Sequence, residues 1–218
     1  MKTITVKGTG KLSQKPDLIT VSMQLSSEDK EYDKAMQKAA EKTDHLNRAV
    51  EAIGFAKNAV KTTDFNIRTK YESIKNRNGN YDNVFCGYVC THSLKIEFDF
   101  DTARLAEVLS ALSGCMASPE LSVAFSVKDP AALRRELLRS AAENAREKAE
   151  ILCAAAGVRL GELTTIDYSF GDISAVSDTG YTVGSRRMIK AEAALCAVDM
   201  TPDDIRVSDT ATFVWEIC

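Results

Sequence analysis

The sequence has little of what catalysis and metal binding are usually made from. Only two histidines, His45 and His92, occur in 218 residues, so histidine-based acid–base or nucleophilic chemistry has few centres to use. No Cys-x-x-Cys or His-x-x-x-His pair supplies metal-ligand spacing. A basic excess is missing too. The 28 Lys and Arg against 31 Asp and Glu give a net charge of −3, which creates no field for phosphate backbones, so nucleic acid is not an expected partner. No apolar run approaches the ~20 residues of a membrane-spanning helix. The four prolines and eleven glycines form no linker. One compact domain over 1–218 is expected, with two sub-layers of about 1–100 and 101–218.

The opening Met1-Lys2-Thr3-Ile4-Thr5-Val6 enters an alternating strand at once, without the apolar stretch of a signal peptide. The expectation is a cytoplasmic protein as given, and a periplasmic or exported one if a leader has been trimmed. Six cysteines (Cys86, Cys90, Cys115, Cys153, Cys196 and Cys218) are scattered through a chain long enough to build its own core. Buried, reduced thiols are expected of them rather than bridges.

What is present is periodicity. Ile4, Val6, Gly8, Gly10 and Leu12 alternate with polar residues, as do Ile19, Val21, Met23 and Leu25. Each run predicts a half-buried strand, and the Pro16-Asp17 turn between them predicts that the two pair with one another. Tyr32, Met36, Ala39, Thr43, Leu46, Val50 and Ile53 recur in steps of three and four up to Gly54, an amphipathic helix with its stop. Two long strands follow, one with Phe65, Ile67, Thr69 and Tyr71 on one face. The other has Val84, Cys86, Tyr88, Cys90, His92, Leu94, Ile96 and Phe98 on a single parity. Asn76-Arg77-Asn78-Gly79-Asn80 between them predicts a hairpin.

Asp101 is placed to cap a helix that buries Leu105, Val108, Leu109 and Leu112, and Leu121 to Val127 alternate as another strand. Asp129-Pro130 opens the longest helix, whose stripe is read as Leu138, Ala141, Ala145, Ala149, Leu152 and Ala156, ending at Gly157. Strands around 163–170 and 204–217 complete the order ββαββ-αβαββ. The predicted class is α+β, an antiparallel sheet with helices packed on one face. The segment 171–202 is expected to be a long connection, and its basic cluster Arg186, Arg187 and Lys190 is a candidate partner-binding site.

Four other patterns invite chemistry. Gly8-Thr9-Gly10 is better read as a place where another backbone crosses the sheet than as a phosphate loop, because strand continues where a helix should start. Cys86, Cys90 and His92 form a candidate buried polar or thiol site. The two cysteines lie roughly 13 Å apart on an extended strand, too far to share a metal or a disulfide. His92 reads as a hydrogen-bonded core histidine and His45 as a solvated one. The pairs Asp99/Asp101 and Asp203/Asp204 read as capping and turn residues. Arg134, Arg135, Arg139 and Arg146, interleaved with Glu136, Glu143, Glu147 and Glu150, read as a solvated helix face.

Several of these stretches together resemble the SIMPL-domain family (DUF541). They are Val6-x-Gly8-x-Gly10 with Lys15-Pro16-Asp17, Gly54 leading into Thr62-Thr63-Asp64-Phe65-Asn66-Ile67 and Tyr71, Gly87-Tyr88, and Ala145-x-x-Lys148-Ala149-Glu150 running to Gly157-x-x-Leu160-Gly161. The resemblance implies an α+β bacterial protein that assembles into oligomers, with links to envelope and oxidative-stress functions, and it carries over no catalytic residue. The expectation is therefore a non-enzymatic, self-assembling or partner-binding protein, without cofactor or metal. The alternative is a small-molecule or thiol-redox-responsive binding protein.

Overall fold

The computed structural model describes residues 2–75, 81–169, 174–183 and 201–218. The described elements are β1 (Thr3–Gln14), β2 (Leu18–Asp29), α1 (Tyr32–Ala52), β3 (Lys61–Lys75), β4 (Tyr81–Asp99), α2 (Thr102–Ser113), β5 (Glu120–Ser126), α3 (Pro130–Ala156), β6 (Leu160–Asp167), β7 (Val176–Val183) and β8 (Ile205–Ile217). The α+β class and the element order follow the sequence pattern, with β7 added inside the segment expected to be a connection. The strands form two sheets, β1-β8-β6 and β3-β4-β2-β5-β7. These belong to two compact units whose chain segments interleave: Met1–Asp17, Ser126–Asp178 and Pro202–Cys218 in one, Leu18–Phe125 and Thr179–Thr201 in the other.

β1 and β2 do not pair with each other. β1 runs antiparallel to β8 in unbroken register, from Thr3↔Glu216 to Gln14↔Ile205, and β2 runs antiparallel to β4, from Leu18↔Asp99 to Asp29↔Tyr88. Pro16-Asp17 is a crossing rather than a hairpin turn. The Asp17 N–H donates to the Ser126 carbonyl at 3.1 Å, and the Asp17 carboxylate accepts from the Lys128 N–H at 2.7 Å. Alternation records which face of a strand is buried and says nothing of its neighbour.

In the first unit, α3 lies on the three-stranded sheet. Its buried row is Leu133, Leu137, Ala141, Ala145, Ala149 and Cys153. The three alanines were legible, but Leu138 is only half-buried and Leu152 and Ala156 are exposed. The cause is on β1. A Cβ at Gly8 would stand 2.0 Å from the Ala141 carbonyl oxygen, and one at Gly10 2.1 Å from that of Leu137. The helix presses one i, i+4 ridge into this glycine groove, so the ridge is a strict row of four-residue steps. Asp129 caps α3 by accepting the Ala132 N–H at 2.8 Å, and Gly157 ends it in the left-handed region. Arg139 and Arg146 pair with Glu136 and Glu150 on its outer face.

In the second unit, Ile19, Val21, Met23 and Leu25 of β2, Leu94 and Ile96 of β4 and Leu121, Val123 and Phe125 of β5 pack with Leu46 and Val50 of α1 and the whole apolar stripe of α2. Asp101 caps α2 by accepting the Arg104 N–H at 3.0 Å. At the start of α1 the buried residue is Ala35, while Tyr32 is 49% exposed. β3 and β4 pair antiparallel as a hairpin, and its Asn/Gly turn at 76–80 lies outside the described residues.

Candidate functional site

The site is built on the difference in length between neighbouring strands. β4 is paired along Tyr88–Asp99 with β2 and along Tyr81–Lys95 with β3. β2 ends at Asp29, so among the described strands Tyr81–Gly87 of β4 have only β3 beside them, and the described sheet narrows to a two-stranded arm. The junction is Gly87. Its φ is +134°, and a Cβ there would come within 2.3 Å of the Asp29 carbonyl oxygen, so only glycine fits where the last residue of β2 meets the strand. The register shifts at this point: Gly87 faces Lys70 and Phe85 faces Tyr71. Cys86 is the extra residue of a β-bulge. The single parity expected from Val84 to Phe98 therefore breaks here, and Phe85 takes the face that Cys86 had been assigned.

An isolated two-stranded hairpin is marginal in water, and this one is braced at its root. Tyr32, at the first turn of α1, meets Tyr88 edge-on with ring centroids 5.6 Å apart. Tyr88 meets Phe85 at 5.4 Å, and Phe85 meets Tyr71 across the strands at 5.7 Å. Lys70 on β3 forms an ion pair with Glu28 on β2. Contacts of this kind each contribute about 0.5–1.5 kcal/mol between rings and less between exposed charges. The outer surface of the arm stays apolar: Tyr71 is 57% exposed, Tyr81 70%, and Ile74, Val84 and Phe85 are exposed with them.

His92 lies nearer the body of the sheet, between α1 and β3. Its Nδ1 is 3.0 Å from Thr43 Oγ1 and its Nε2 3.0 Å from Thr62 Oγ1. The Thr43 hydroxyl donates to the Ala39 carbonyl at 2.9 Å, so it can only accept from the ring. This makes Nδ1 the protonated nitrogen and Nε2 the acceptor of the Thr62 hydroxyl. Phe65 packs edge-on at 5.1 Å, and burial holds the imidazole pKa below its ordinary value. Both nitrogens are occupied in a neutral ring that ties three elements together. Cys90, two residues away, is buried, and burial raises its thiol pKa against a smaller opposing hydrogen bond from Ser27.

The candidate trio thus divides. His92 and Cys90 belong to the packed sheet, and Cys86 sits half-buried at the bulge with its sulfur 3.4 Å from the Val84 carbonyl. The expectation that every cysteine is buried fails at Cys218, which is exposed at the chain end, and at Cys86 and Cys115, which are half-buried. His45 is half-buried and lines an open groove with Lys38, Lys42 and Glu41. Arg186, Arg187 and Lys190 lie outside the described residues, as does Cys196. Among the described residues, no group of three or more His, Cys, Asp or Glu is placed to hold a metal ion, and no helix is long and apolar enough to cross a membrane. Sequence reading found the long hairpin but missed Ile74, Tyr81, Phe85 and Tyr32 as parts of one surface. Their signal was an apolar residue on both parities of a strand, which one-sided burial does not produce.

Comparison with protein families decides the family. The SIMPL family model, described as a protein of unknown function (DUF541), matches residues 4–215. The chain belongs to the SIMPL family. The match takes in both sheets and all three helices, so the resemblance carried by the glycine and Tyr motifs is shown across nearly the whole chain. No curated protein matches it.

Proposed function

We propose that this SIMPL-family chain is a non-catalytic protein that associates with copies of itself through the β3–β4 hairpin. One observation carries the reading. Beyond Gly87 the hairpin leaves the sheet with Tyr71, Ile74, Tyr81, Val84 and Phe85 all exposed, so apolar side chains stand on both faces of an arm that the described residues leave uncovered. Large apolar residues grouped on an exposed strand pair mark a surface that is covered in use. A second copy is the occupant favoured here, because the arm's own residues are of the kind that would cover it, aromatic rings that already stack edge-on along the hairpin. The His92 cluster supports a structural role, since its two nitrogens are already spent on threonines.

Size-exclusion chromatography with light scattering tests this at tens of micromolar protein. The expected mass exceeds the 23.8 kDa of one chain, and the double variant Tyr71→Ser, Phe85→Ser should move the population to smaller species with unchanged far-UV circular dichroism. A wild-type protein that stays at the single-chain mass sinks the proposal.

A further inference from the structure

Some of the strand backbone in this protein that lacks a neighbouring strand is closed by side chains. On β1, the Thr9 N–H donates to Asn144 Oδ1 at 3.1 Å and the Lys7 carbonyl accepts from Lys148 at 3.2 Å, both from α3. On β2, Lys42 and Lys38 of α1 reach the Ser26 and Glu28 carbonyls. Lysines and covering helices are the usual protection of an open edge. β3 is different. It is fifteen residues long, pairs with β4 alone among the described strands, and none of the described side chains reaches its outer backbone groups.

The middle of β3 also carries two opposite charges without an intrachain partner among the described residues, Asp64 and Arg68, both exposed. They lie on the same face of the strand four residues apart, roughly 13 Å in extended backbone, too far to meet each other. In an antiparallel pairing of β3 with a second β3, the register decides what each of them faces. A two-fold axis at Arg68 sets Asp64 against Glu72 and Arg68 against itself. An axis at Ile67 sets Asp64 against Lys70, and one at Tyr71 sets Lys70 against Glu72, but Lys70 is already bridged to Glu28 and Glu72 within the chain. An axis at Asn66 sets Asp64 against Arg68 twice, Phe65 against Ile67 twice on the other face, and the Asn66 carboxamide against its own copy. This stretch, Asp64 to Arg68, is also the part of β3 free of irregularity, since the register with β4 shifts between Thr62 and Asp64 and again between Lys70 and Tyr71.

We propose that two copies of the chain join edge to edge through β3, antiparallel about a two-fold axis at Asn66, with Asp64 of each copy opposite Arg68 of the other. This rests on the self-association reading and specifies one of its interfaces. The ladder extends the five-stranded sheet of one copy into that of the next, with backbone hydrogen bonds giving affinity and the cross-strand pairs giving register.

The test uses two single variants and their mixture. Asp64→Arg sets arginine against arginine at both cross-strand pairs, and Arg68→Asp sets aspartate against aspartate there. Each variant alone should therefore self-associate roughly ten-fold or more weakly than wild type in sedimentation equilibrium at low salt. Mixed in equal amounts, the two variants should associate with each other like wild type, because in the heterodimer the arginine introduced at position 64 faces the aspartate introduced at position 68 while the native Arg68 faces the native Asp64, two opposite-charge pairs. The double variant Asp64→Arg, Arg68→Asp is the cleaner rescue, because swapping both charges restores two opposite-charge pairs in the same register, and it should associate like wild type. That rescue also shows that neither substitution prevents folding. If each single variant associates as strongly as wild type, or if the double variant stays as weak as the single ones, the Asn66 register is overturned while self-association stands. If wild type itself sediments as a single chain, the self-association reading and this interface fall together.

Discussion

At the scale of single residues, the shape of the first unit depends on two missing methyl groups. The obstacle that a Cβ at Gly8 would meet is the Ala141 carbonyl oxygen at 2.0 Å, with the Ala145 methyl at 2.7 Å. A carbonyl inside a helix cannot rotate away as a side chain would, so the whole of α3 must rise off the sheet. Gly8→Ala is therefore expected to cost about 1–3 kcal/mol, the range for overpacking a filled core, read as a lower denaturation midpoint with an unchanged m-value. His92 yields a pH dependence. Its pKa is depressed in the folded protein by burial and stands near 6.5 in the unfolded chain. The unfolded state therefore takes up the proton first as pH falls. The stability that His92 contributes is complete above about 6.5 and is lost as pH drops from there through the folded pKa. Urea midpoints between pH 7.5 and 5 should fall in wild type and fall less in His92→Gln, and equal slopes in the two proteins would contradict the assignment.

At the scale of elements, α3 separates what periodicity tells from what it leaves open. A stripe of alanines flanked by leucines on several neighbouring positions is compatible with two adjacent rows of the helix. The sequence pattern runs the row from Leu138 through the three alanines to Leu152 and Ala156, and the row buried against β1 holds Leu133, Leu137 and Cys153 in place of those three residues. Leu137→Ala should accordingly cost about 2–5 kcal/mol, whereas Leu152→Ala, at a side chain 52% exposed, should stay within about 0.5 kcal/mol. Comparable losses at both positions, measured by chemical denaturation, would contradict this assignment of the buried row. The hairpin teaches the same lesson from the other side. Its strands were legible from alternation and its turn residues, but the bulge at Cys86 and Gly87 was not, because only the end of β2 at Asp29 makes that glycine necessary. With the bulge, Phe85 joins Tyr71 and Tyr88 on one face, and the exposed aromatic surface becomes continuous.

At the scale of the whole molecule, association through β3 about a two-fold axis is closed: it joins two chains and stops. Larger assemblies would require a second surface, and the association proposed for the arm beyond Gly87 would supply one, since its apolar side chains lie outside the Asp64–Arg68 stretch. The two interfaces are thus separable, with the arm variant expected to leave two-chain species that the single charge variants dissociate. Much of this was present in the sequence alone. Alternation with a period of two and stripes with a period near 3.6 mark each face that meets a core, capping residues such as Asp101 and Asp129 mark helix starts, and ordered small motifs mark the SIMPL family. These are local properties, carried by residues a few positions apart. Which strands become neighbours was decided by tertiary structure, because β1 and β2 are equally satisfied by any partner that buries the same face. Only the packing of α3 into the glycines of β1, and of α1 and α2 onto β2, β4 and β5, sends those two adjacent strands into different sheets and leaves β3 at an open edge.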